Sequence, residues 1–169
     1  MFIAIVQHTP VWVWGLLAAL VALGLAQTRD RELSLLRVTI LPLVMIGLSL
    51  SGVFSAFGHF PMALGGWAAG VAAALSLGRQ FIAVRGAAWL PQTGTLQVPG
   101  SWLPLMLIVA LFAIKYFAGA SLALHPGLAT DPAFAGPIGL AYGSFSGLFL
   151  ARANSLRRLA GPNRGLGAA

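Results

Sequence analysis

From Val38 to Gly58 the chain carries no charged side chain, and only His59 and Phe60 separate this run from Pro61, where the next apolar run begins. Two long uncharged segments with so short a link restrict the fold severely. Neither offers a surface for water, and irregular or open-edged backbone facing lipid would leave its polar groups unpaired. A helix pairs its own N–H and C=O groups, and about 20 residues of it cross a ~30 Å hydrocarbon core. The stretch Leu41–Pro61 therefore predicts a membrane-crossing helix, a tight reversal at Gly58-His59-Phe60 and the start of a second crossing.

Composition extends this to the whole chain. Of 169 residues, 59% are hydrophobic and 8% charged, with a mean hydropathy of +0.90. A soluble domain has roughly 45–50% apolar and about 25% charged residues. Lipid must be the solvent for most of this surface, and the length suits one domain. Cysteine is absent, which excludes disulfides, thiolate metal sites and Cys-X-X-Cys redox chemistry.

Local signals divide the chain into five spans, at about 10–27, 35–57, 61–78, 102–119 and 132–156, with a polar loop at 79–100. Thr9 and Pro10 have the chemistry of a helix start, and Trp12 and Trp14 suit an interface. No Lys or Arg precedes this first run, so it lacks the basic region of a signal peptide and is expected to be structure. Ser34 is placed to cap the second helix, Ser101 the fourth and Asp131 the fifth. Pro42 and Pro137 fall inside apolar runs and predict kinks. In the polar loop, Phe81–Arg85 and Thr95–Val98 are β-prone, and Pro91-Gln92-Thr93-Gly94 supplies turn chemistry for a short hairpin. The expected fold class is all-α, a polytopic integral membrane protein built as a five-helix transmembrane bundle.

Nine of the ten Lys and Arg residues fall in alternate breaks: Arg29, Arg31 and Arg37; Arg79 and Arg85; Arg152, Arg157, Arg158 and Arg164. The positive-inside rule then places the N-terminus outside and the C-terminus in the cytoplasm. The net charge of +7 is thereby topological, and nucleic acid is not an expected partner.

Leu41-Pro42-Leu43 and Leu103-Pro104-Leu105 align, and each of these helices is followed by one with a proline near its outer end. This is either a parallel repeat of helices 2–3 and 4–5 or the chance likeness of apolar helices. Gly66 and Gly70 in the third span, and Gly139, Gly143 and Gly147 in the fifth, recur at four-residue spacing, which permits close backbone approach in lipid. Gly47, Ser51 and Ser55 repeat that spacing in the second. These faces either bring helices 2, 3 and 5 into a close-packed centre, with helix 4 facing lipid, or serve a homo-oligomer or another membrane protein.

Two sets of residues have the chemistry for a site. The topology puts His8, His59, His125 and Asp131 at the outer face, where three imidazoles and a carboxylate are a ligand set for zinc, copper or haem if they converge. No two share a local metal motif, so solvated histidines and a helix-capping Asp131 are the competing reading. Lys115 is the one basic residue within a span. Either it snorkels outward, with Asp131 as partner, or it meets a substrate or anion together with Ser51, Ser55 and Tyr116. No acid lies within a span and no catalytic constellation is visible, so no enzyme activity and no resident cofactor is expected.

His8-Thr9-Pro10-Val11-Trp12-Val13-Trp14, Leu41-Pro42-Leu43, Ser55-Ala56-Phe57-Gly58 and Pro99-Gly100-Ser101-Trp102-Leu103-Pro104-Leu105 resemble a family of small, uncharacterised proteobacterial inner-membrane proteins. The resemblance spans most of the chain. It implies a bacterial inner membrane and the same multi-span build, and it brings no activity and no site residues. Three roles follow: a small transport or permeability component, an accessory or assembly subunit of a membrane complex, or a metal or haem protein of the outer face.

Overall fold

In the computed structural model, which describes residues 11–81 and 86–160, each apolar run is a helix. The order is α1 (Val11–Ala26), β1 (Arg31–Ser34), α2 (Leu35–Phe57), α3 (Pro61–Phe81), β2 (Ala88–Leu90), β3 (Thr95–Val98), α4 (Leu103–Leu124), a 3₁₀ turn (Pro126–Thr130) and α5 (Pro132–Ala160). The molecule is a membrane-type helical bundle, and four of the helices, α2 to α5, are long and apolar enough to cross a bilayer. The first has 16 residues, about 24 Å at 1.5 Å per residue. Thr9 and Pro10, read as its start, lie outside the described residues.

The helix ends follow local chemistry. Ser34 Oγ accepts from the Arg37 N–H at 3.4 Å, capping α2. That helix ends at Gly58, whose N–H makes the last helical bond to the Phe54 carbonyl at 2.8 Å and whose φ of 58° then turns the chain away. Only glycine takes that backbone freely, and Pro61 then starts α3. Asp131 Oδ1 accepts from the Ala133 N–H at 2.9 Å and so caps α5. Ser101 sits one place earlier than an N-cap: Trp102 holds that position, and the Ser101 hydroxyl still accepts from the Leu103 N–H at 3.3 Å.

At the end of the bundle that carries the arginines, three short strands form an antiparallel sheet in the order β1-β3-β2. Thr95–Val98 is the predicted strand, but its hairpin partner is Ala88–Leu90, not Phe81–Arg85. The turn explains the change. Four residues, Pro91 to Gly94, link Leu90 directly to Thr95, and Gly94 closes the turn at φ 64° with its N–H on the Leu90 carbonyl. Phe81 ends α3, and residues 82–85 lie outside the described residues.

The third strand comes from the charged break after α1, where the sequence predicts no strand: Arg31 pairs with Val98 and Ser34 with Thr95. Leu96 and Val98 of β3 are fully buried against Val38, Ala153 and Leu156, so the sheet closes that end of the bundle. Trp89 lies against the same cluster, and its indole N–H is buried without a partner among the described residues.

The close-packed centre is α3 against α5, with α2 lying along α5. Gly139, Gly143 and Gly147 of α5 meet the backbone of Ala63, Trp67 and Val71 in turn, so the two helices run parallel and step together by four residues. From the other side, Gly66 faces the Gly136 carbonyl and Gly70 the Leu140 carbonyl. The glycine faces thus meet each other within one chain. A second cluster, Val53, Phe57, Ala63, Ala118, Ala135, Ile138 and Tyr142, fills the end opposite the sheet. Much of α4 is open to its surroundings, with Met106, Val109, Phe117 and Leu124 exposed. It leans on α1 near the sheet, where Gly24 meets Leu105 and the Ser101 N–H reaches the Gln27 carbonyl at 3.0 Å.

Candidate functional site

Polar groups are few inside this bundle, and they gather where α2, α3 and α5 meet. Trp67 donates its indole N–H to Ser49 Oγ at 3.1 Å. Ser49, 3% exposed, donates in turn to the Tyr142 carbonyl at 3.0 Å. Ser146 bonds the same carbonyl from within its own helix at 3.2 Å. Three helices are linked through Ser49 and this one backbone oxygen, and both serine hydroxyls are satisfied, as groups shut away from water must be.

Beside this network lies Lys115. Its Nζ sits 5.6 Å from the centre of the Tyr142 ring, a cation–π arrangement. Gly52 of α2 makes room for it, since a Cβ there would come within 2.9 Å of the ammonium. The lysine therefore points into the seam between α2, α4 and α5 and does not snorkel outward to Asp131. The reason is length. The sequence ends the fourth helix near Gly119, about one turn beyond Lys115, whereas α4 runs on to Leu124 and stops only before Pro126. Nine residues, about 14 Å, then separate Lys115 from that end. Among the described residues no carboxylate pairs with it.

The other residues expected beside Lys115 do not join it there. Ser51 is exposed and bonds back to the Leu48 carbonyl at 3.0 Å. Ser55 is exposed on the same helix, and Tyr116 stacks on Phe112 at 6.2 Å. Gly47, Ser51 and Ser55 form the outward stripe of α2, while Ser49, Val53 and Phe57 face the core. Small residues lie on both faces of that helix, and spacing alone does not say which face α5 covers. Gly52 and Trp67 were the residues to find. The signal available was the pairing of Ser49 with Gly52 and Val53 on one helical face.

At the opposite end from the sheet, His59 is exposed in the α2–α3 turn, its ring 5.3 Å from that of Phe54. His125 is exposed at the end of α4, and Asp131 is occupied as a cap. His8 lies outside the described residues. Among the described residues no three His, Asp or Glu side chains gather where they could hold a metal.

Comparison with known proteins adds no activity. An uncharacterised protein of Pasteurella multocida is 33% identical over 73 residues, a match covering 43% of this chain and 56% of that relative. The chain thus matches little more than half of the relative's length. No solved structure matches it. A sequence model of a family of unknown function, DUF6622, matches residues 1–165.

Proposed function

Since the chain belongs to this family of unknown function, we propose a role from the site itself: a small permeability component of a bacterial inner membrane that admits small anions past Lys115. One observation carries the reading, the inward-pointing ammonium without a carboxylate partner among the described residues. A charged group at the centre of a membrane helix costs about 2.5–3.5 kcal/mol by insertion scales. The Tyr142 ring returns about 0.5–2 kcal/mol of that. The balance is recovered when an anion occupies the seam, and the charge makes the seam selective for anions.

In this reading the arginine end, with its sheet, faces the cytoplasm, and His59 and His125 face the other side. Protein reconstituted in liposomes is expected to pass halide faster than empty vesicles do. Lys115→Met should abolish that flux and Lys115→Arg should keep much of it. Equal flux through Lys115→Met and wild type, or none above empty vesicles, overturns the proposal.

A second reading, an accessory subunit of a membrane complex, has one observation in its favour. The Gly47, Ser51 and Ser55 stripe of α2 is left uncovered by the chain's own helices, and such a stripe suits close approach by another helix. A stoichiometric partner that co-purifies with wild type and is lost on Gly47→Leu would favour this role. Its absence would leave the permeability reading alone.

A further inference from the structure

Near the sheet, a cavity of about 450 Å³ opens between the end of α1, β1, the first half of α2 and the last part of α5. Its volume falls within the ~300–1,000 Å³ typical of small-molecule sites. Its lining divides into two zones. Toward the sheet it presents Gln27, Arg31, Arg37 and Arg152, and no acidic residue lines it. Away from the sheet it is apolar: Leu23, Ile40 and Val44 follow α1 and α2 toward the interior. Ile40 and Val44 remain 47% and 48% exposed, so this side of the cavity opens toward lipid.

Arg31 is held in place, not dangling. Arg31 Nη2 donates to Gln27 Oε1 at 2.9 Å, and β-pairing of Arg31 with Val98 fixes its backbone. Arg31 and Arg152 are close enough for their charges to repel. The two acids nearest in sequence are used elsewhere: Asp30 accepts from the Gly100 N–H at 2.7 Å, and Glu32 from Thr95 Oγ1 at 3.2 Å. Burial pulls the Arg31 pKa below the ordinary arginine value, yet a guanidinium stays charged in a protein. Three guanidinium-bearing side chains lining one space, with no carboxylate in the lining among the described residues, match a phosphate group. The apolar trough leading from them, about 10 Å from Arg37 to Val44 along α2, matches an acyl chain.

We propose that this cavity binds one anionic phospholipid from the leaflet at the arginine end, its phosphate between Arg31, Arg37 and Arg152 and an acyl chain along Ile40 and Val44. A basic pocket between membrane helices is the expected place for such a headgroup. The inference is independent of the anion path at Lys115.

The test uses the full chain purified in a neutral detergent and titrated with phosphatidylglycerol or phosphatidylcholine, bound lipid being counted by native mass spectrometry. Wild type should retain one phosphatidylglycerol and discriminate against phosphatidylcholine. Arg152→Gln and Arg31→Gln should each weaken retention about tenfold, the loss expected of a charge-assisted hydrogen bond. Arg158→Gln, at the same end but outside the cavity, should change nothing. Val44→Trp, on the exposed rim, fills the trough without disturbing the core and should also release the lipid. It decides the matter if the arginine variants do not fold. Inorganic phosphate should not displace the lipid at concentrations where a second phospholipid does. Equal binding of both lipids, retention by Val44→Trp, equal loss in Arg158→Gln, or displacement by free phosphate would each overturn the proposal.

Discussion

Gly143 has the Trp67 carbonyl where a methyl group would go, and Gly70 likewise has that of Leu140. Neither neighbour is a flexible side chain, so a Cβ must push two helix backbones apart. Gly143→Ala and Gly70→Ala are each expected to destabilise the protein by about 1–3 kcal/mol, seen as a lower midpoint in detergent unfolding. Gly47→Ala, with open space at the same position on α2, should leave the midpoint within ~0.5 kcal/mol. Ser49→Ala strands the Trp67 indole N–H and should cost about 0.5–2 kcal/mol with a shift in tryptophan emission. At this scale the sequence was informative about spacing and silent about direction. Every-fourth glycines in the third and fifth spans marked the faces that meet and left open whether they meet within one chain. The direction of Lys115 was not legible, because it depends on where α4 ends and on Gly52 across the seam.

Helix positions were legible because apolar runs in lipid have one way to satisfy their backbone. Of the three strands, sequence reading placed β3, set its partner at Phe81–Arg85 instead of β2, and missed β1 altogether. Arg31-Glu32-Leu33-Ser34 has two charges and one apolar residue, and it becomes a strand only because β3 offers an unpaired edge 60-odd residues later in the chain. Leu96 is the strand's anchor, with no exposed surface. Leu96→Ala should cost about 2–5 kcal/mol as a cavity between sheet and bundle, and hydrogen exchange should report opening of β1 and β2 together. Gly94→Val forces a branched residue to φ 64° and should loosen the same sheet. If β1 stays protected while β3 opens, the three strands are not one unit.

For the molecule as a whole, composition sufficed to place it in lipid and could not say what it does. The roles proposed here rest on residues from separate elements, Lys115 with Gly52 and Tyr142, or Arg31 with Arg152. Their meeting is a property of packing that no local motif records. Charge, in contrast, sorts by end: His59 and His125 lie opposite the sheet and Arg31, Arg152 and Arg158 lie toward it, which is the pattern a bilayer imposes. The absence of native cysteine makes this directly measurable. Single cysteines at His59, His125, Gln92 and Arg158 are to be labelled in intact cells with a membrane-impermeant maleimide. The account predicts that His59→Cys and His125→Cys label at once, while Gln92→Cys and Arg158→Cys label only after the membrane is opened. Labelling of Gln92→Cys or Arg158→Cys in intact cells alongside His59→Cys would contradict it.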